Sequence, residues 1–86
     1  MAAVTVVVAT RNRRDTLLRS LAHHRVPVVV VDNASTDGTA PAVRAAYPDV
    51  CVVPLDRNAG AAARTVGAKL ACTPYVAFAD DDSYWE

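Results

Sequence analysis

Three carboxylates stand in a row near the end of the sequence, Asp80-Asp81-Asp82, directly after the apolar run Tyr75-Val76-Ala77-Phe78-Ala79. Adjacent like charges repel, and carboxylates gathered at the end of a buried strand need a counter-charge to stay ionised together. A divalent cation supplies one. Hard oxygen ligands favour Mg²⁺ or Mn²⁺, and Mg²⁺ takes one or two carboxylates and completes its shell with water and phosphate oxygens. The competing reading is a solvated acidic turn with no chemistry. Asp32 is a second candidate, because it directly abuts the valines Val28–Val31 and lies ahead of the turn that follows. The stretch Asn33-Ala34-Ser35-Thr36-Asp37-Gly38-Thr39 is rich in turn and cap formers, and most of it reads as loop shape and a helix start. Asn58 and Gly60 read equally as an N-cap with a tight turn or as site residues, and Arg64 as a site residue or a solvated helical one.

These residues share a position in the pattern. Four short apolar runs, Val4–Ala9, Val28–Val31, Val50–Val53 and Tyr75–Ala79, alternate with stretches of helical spacing. The first two runs are nearly all valine, which suits strands of a parallel sheet buried on both faces. The helical stretches are Arg13 to Ala22 with Leu17, Leu18 and Leu21, Pro41 to Tyr47 with Val43, Ala46 and Tyr47, and Ala59 to Ala71 with Ala62, Val66 and Leu70. Pro41 suits a first turn, while Pro48 and Thr73-Pro74 end helices. The order β-α-β-α-β-α-β predicts an α/β fold, a parallel sheet of about four strands with helices on both faces. Ligands of such sheets bind outside the carboxyl ends of the strands. Every candidate above follows a strand, as does Thr10-Arg11-Asn12-Arg13-Arg14-Asp15 after the first. Convergence on one rim is the functional signal.

Bulk properties set limits. At 86 residues the chain is one small domain, 52% hydrophobic and 21% charged, and it buries only roughly 60–65% of its unfolded surface. A formal net charge of +0 gives no global field to attract nucleic acid or an anionic membrane. The arginines Arg11, Arg13, Arg14 and Arg19 read mostly as a solvated helix face. Cys51 and Cys72, in apolar or small-residue surroundings, read as buried free thiols rather than as metal ligands or a disulfide. The start, MAAVTVVVAT, has no basic leader and reads as a strand. His23 and His24 suit a helix C-terminus.

Four blocks together resemble family 2 glycosyltransferases of the GT-A fold. They are the strand with Thr10-Arg11-Asn12-Arg13, the Val30-Val31-Asp32-Asn33-Ala34-Ser35-Thr36-Asp37-Gly38-Thr39 block, Asn58-Ala59-Gly60-Ala61-Ala62-Ala63-Arg64-Thr65-Val66-Gly67, and Phe78-Ala79-Asp80-Asp81-Asp82. They span essentially the whole chain. Family members often carry Pro-Thr-Tyr-Asn where this chain has Ala9-Thr10-Arg11-Asn12, and Asn where it has Thr65.

The resemblance implies the Rossmann-like N-terminal half of a GT-A fold, with a nucleotide-diphospho-sugar donor site. By that analogy Ala9, Thr10 and Arg11 line the base pocket, Asp32 hydrogen-bonds the base, and Arg64 lies near the nucleotide or phosphates. Asp80 and Asp82 look like the outer members of the family's DXD motif. Asp81 or Asp80 would reach the ribose, and Asp82, with Asp80, would hold Mn²⁺ or Mg²⁺ on the diphosphate. The implied reaction is transfer of the sugar to an acceptor hydroxyl with inversion, which needs one general base. No candidate for that base stands out in the sequence, and in the family it lies downstream of the acidic motif. The chain is therefore expected to be the donor-binding half of a longer enzyme, inactive by itself. The acceptor is unidentified, a membrane-proximal one among the options. Donor availability and the lack of a leader suggest a cytoplasmic setting. An exposed fourth strand would invite a homodimer through the sheet edge.

A dinucleotide-binding protein is disfavoured, since the turn after the first strand, Thr10-Arg11-Asn12-Arg13, has no glycine. The remaining rival is a non-catalytic scaffold module whose acidic rim binds a metal or nucleotide.

Overall fold

In a computed structural model of the chain, which describes residues 3–81, four strands and three helices alternate. They run β1 (Val4–Thr10), α1 (Arg14–Leu21), β2 (Val28–Asp32), α2 (Thr39–Ala46), β3 (Cys51–Pro54), α3 (Ala62–Leu70) and β4 (Tyr75–Ala79). The sheet is parallel throughout, in the order β3-β2-β1-β4. β1 thus has β2 on one side, in a register that sets Thr10 beside Asp32, and β4 on the other, with Val8 beside Ala79.

Side chains along a strand alternate between the faces of its sheet. Val6, Val8, Val28 and Val30 face α1 and α2, where they pack with Leu17, Leu21 and Val43. Val7, Val29 and Val31 face α3, where they meet Ala63. β-Branched valine fits this crowded sheet because its χ1 is already restricted, so little rotamer entropy is lost. Two-sided burial is limited to the central pair. β1 and β2 are almost wholly buried, whereas β3 and β4 are largely half-buried or exposed.

That asymmetry corrects the reading of the cysteines, which are free and exposed. Cys51 lies on the edge strand β3 and Cys72 in the turn after α3, where no second layer covers them. A second correction concerns α3. The expected stripe of Ala62, Val66 and Leu70 is not what packs: Ala63 and Gly67 are buried, while Leu70 is 46% exposed. The helix approaches the sheet through its smallest residues. A Cβ on Gly67 would collide with Val7 Cγ1 and come within 3.1 Å of Val31 Cγ2, so this glycine sets the distance between layers. The helix also begins at Ala62 rather than Ala59, because Gly60 has φ +58° and the residues around it form i to i+3 turns. Among the described residues, no helix is long and apolar enough to cross a membrane.

Candidate functional site

The strand order reverses at β1: β2 and β3 are laid down on one side of it, and β4 returns on the other. In open α/β sheets the crevice beyond the carboxyl ends at such a reversal is where ligands bind. The segments that meet there are Thr10–Asp15, Asp32–Asp37, the turn before α3, and Asp80-Asp81.

Two loops on this rim are stapled together. Asn12, at φ +53°, accepts through Oδ1 from the Thr36 amide at 2.7 Å, and its own amide donates to Ser35 Oγ at 2.9 Å. The Asp37 carboxylate accepts from the Arg14 amide at 3.0 Å and the Thr39 amide at 3.1 Å, and also from the Thr39 hydroxyl. Arg14 and Thr39 are the first residues of α1 and α2, so one carboxylate caps two helix N-termini, where backbone amides lack intrahelical partners. Foremost because of the Thr39 hydroxyl, and then the backbone donors, the Asp37 carboxyl is held below the ordinary carboxylate value of 3.8 despite partial desolvation. Arg14 closes the staple by donating from Nη1 to the Asp37 carbonyl at 2.9 Å. Arg14 is exposed, as a solvated helix face implies, and also serves as a clamp.

Asp32 is 4% exposed at the end of β2, and its Oδ1 accepts from the Ser35 amide at 3.0 Å. It therefore shapes the loop at the carboxyl end of β2. Its neighbour Asn33, not singled out by the sequence pattern, is buried and accepts from the Ala59 amide at 3.1 Å, tying the loop after β2 to the turn that starts α3.

On the other side of the reversal, Asp80 and Asp81 part company. Asp80 is exposed, with Arg64 Nη2 3.6 Å from its Oδ1. The same guanidinium lies 5.9 Å from the centroid of the Phe78 ring, within cation–π range. Asp81 turns inward: Thr10 Oγ1 donates to its Oδ2 at 3.0 Å, Arg13 Nε lies 3.2 Å from its Oδ1, and Ser20 Oγ donates to its carbonyl at 2.8 Å. Of the base-pocket candidates, Ala9 is half-buried and Arg11 is exposed, while Thr10 is 3% exposed with its hydroxyl directed at Asp81. Asp82 lies outside the described residues. Among the described residues, no three His, Cys, Asp or Glu side chains cluster around a common point.

Known proteins resemble this chain in sequence and fold. The sequence pattern of glycosyl transferase family 2 matches residues 5–86. The succinoglycan biosynthesis protein ExoO of Rhizobium meliloti is 42% identical over 88 residues, covering 92% of this chain and 25% of ExoO. The UDP-Glc:alpha-D-GlcNAc-diphosphoundecaprenol beta-1,3-glucosyltransferase WfaP of Escherichia coli is 26% identical over 93 residues, covering 99% of this chain and 37% of WfaP. Among solved structures, S. aureus TarS 1-349 superposes with a TM-score of 0.78 at 34% identity, and its complex with UDP at 0.77 and 35%; in each case the match covers 96% of this chain and 28% of the other. The chain thus spans about a quarter to somewhat over a third of the length of these relatives. With the four-stranded parallel sheet, these matches establish that the chain belongs to glycosyl transferase family 2, as the N-terminal part of its GT-A fold.

Proposed function

We propose that this chain binds a nucleotide-diphospho-sugar donor for transfer of the sugar to an acceptor hydroxyl. The observation that carries the reading is the pairing of Arg64 with Asp80 beyond the carboxyl ends of the strands, on the rim where Asp32 ends β2 and the strand order reverses, in a chain similar to a structure solved with UDP. In this reading Ala9, Thr10 and Arg11 frame the base, with Thr10 contributing backbone because its hydroxyl is engaged, and Asp32 accepts a hydrogen bond from the base. Arg64 faces the phosphates, and Asp80 or Asp81 reaches the ribose.

The donor set also suits Mn²⁺ or Mg²⁺. Asp80 presents an exposed carboxylate with the Arg64 guanidinium 3.6 Å away, and a site built from one or two carboxylates and a diphosphate needs no larger protein cluster. Asp80 and Asp82 would hold the ion, which when bound offsets the negative charge growing on the departing nucleoside diphosphate. Inverting displacement by the acceptor hydroxyl requires a general base, which we assign to a part of the longer enzyme beyond this segment. A cytoplasmic setting, where the donor is available, completes the reading.

Calorimetric titration with UDP, GDP and dTDP, with and without Mn²⁺ and repeated on Asp82→Asn, tests it. One nucleotide should bind, more weakly without metal and in the variant. Folded protein that binds none of them at millimolar concentration would leave the scaffold reading. The exposed edge of β4, with Tyr75 67% and Phe78 47% exposed, also gives a second copy a place to pair. Light scattering that finds only monomer across a hundredfold range of concentration, about two decades, counts against that pairing.

A further inference from the structure

Resting on the donor-site reading, we infer that Asp81 is a positioning residue rather than a ligand: it locks the end of β4 to β1 and α1, so that Asp80 is turned out onto the rim.

Strand alternation sets the frame. Val76 packs on the α3 face and Ala79 on the α1 face, and the alternation continues past the strand end, with Asp80 beside Arg64 of α3 and Asp81 beside Arg13 and Ser20 of the α1 side. Adjacent carboxylates are therefore sent to opposite faces. Asp81 is only 12% exposed at its side chain, against 71% for Asp80. Each of its oxygens already has a protein partner, Thr10 Oγ1 for Oδ2 and Arg13 Nε for Oδ1. A carboxylate enclosed this way has its charge compensated from inside the protein, and little of it is left open to an ion or a ribose.

The ties also cross the place that matters. Thr10 ends β1 and Asp81 follows β4, the two strands that flank the reversal of strand order. Ser20 adds a third anchor, holding the Asp81 backbone to α1 at 2.8 Å. With its neighbour fixed at the side chain and the main chain, Asp80 has little freedom to rotate away from the crevice. The hydroxyl of Thr10 thus serves the site through Asp81, without touching the base.

The test is calorimetric titration of UDP, with Mn²⁺ and with a chelator, on wild type, Thr10→Val, Thr10→Ser, Asp81→Asn, the Thr10→Val/Asp81→Asn double variant and Asp80→Asn. Asp80→Asn should erase the enhancement by Mn²⁺. Thr10→Val and Asp81→Asn should each weaken UDP binding about 3- to 10-fold yet keep that enhancement. The double variant should be no weaker than the poorer single one, and Thr10→Ser should stay within about twofold of wild type, because residues acting as one unit are non-additive. The inference is overturned if Asp81→Asn erases the Mn²⁺ enhancement while Thr10→Val leaves binding intact, or if the two changes add. Should Asp81→Asn not fold, Arg13→Gln cuts one tie from a half-exposed position. Weaker binding with the enhancement intact then supports positioning, and unchanged binding overturns it. Folded wild-type protein that binds no UDP overturns the donor-site reading itself, and this role with it.

Discussion

At the scale of single residues, the rim is held by groups whose importance depends on what they cap. Asp37 ties two helix starts together, and its depressed carboxyl value gives the tie a pH signature. A carboxyl lowered in the native state stabilises the fold fully above its unfolded value of 3.8 and loses that contribution as pH falls through the lower native value. Urea midpoints of wild type and Asp37→Asn should therefore differ near neutral pH and converge as pH falls below 3.8; a gap that stays constant removes the charge from the explanation. Ala34 makes a second case. Its φ of +58° lies in the left-handed region, which costs a residue with a Cβ about 1–2 kcal/mol. Ala34→Gly should raise the urea midpoint by about 1 kcal/mol in stability at unchanged slope, and a lowered midpoint would show that the side chain contributes packing there. The burial of Asp32 could be read from the sequence because the residue directly follows four buried valines. Asp80 and Asp81 could not be told apart there, since the difference lies in which face each meets.

At the scale of elements, the strands were legible and the helix faces less so. Valine runs of fixed length leave little choice about β1 and β2, and the turns after them are full of cap formers. In α3 the largest apolar residues suggested one face and the smallest residues formed the contact, because close approach of a helix to a sheet depends on lack of volume. Gly67→Ala tests this. Helix propensity favours alanine by roughly 1 kcal/mol, but overpacking costs about 1–3 kcal/mol, and the side chain it would strike, Val7, is 0% exposed with no room to retreat. Gly67→Ala should lower thermal stability, whereas Lys69→Ala on the exposed side of the same helix should be nearly neutral. A stabilised Gly67→Ala would mean that α3 can move away from the sheet at little cost.

At the scale of the whole molecule, the four strands of the described residues, with two half-covered edges, make a small core centred on β1, β2 and the helices over them, with Ala79 of β4 added. Stability should then respond visibly to anything that binds the folded form alone. UDP with Mn²⁺ at a hundred times its dissociation constant should add about 2.7 kcal/mol, and each kcal/mol moves the melting temperature of a domain this size by roughly 4–8 °C. Differential scanning calorimetry that finds no shift with UDP and Mn²⁺, at concentrations where titration detects binding, would place that binding on unfolded or associated chains. The open edges of the sheet and the turn after α3 also explain the exposed cysteines. Burial of Cys51 and Cys72 was inferred from their neighbours in the chain, while exposure follows from their neighbours in space.

The sequence by itself determined the α/β alternation, the family and the positions along the chain where polar groups leave each strand, because hydrophobic period and loop chemistry are local properties. Only the tertiary structure decided the strand order β3-β2-β1-β4, which sets Thr10 against Asp81, and the opposite directions taken by Asp80 and Asp81. The physical reason is that neighbours across a sheet and between layers are chosen by crossover direction and packing distance, which no short stretch of chain encodes alone.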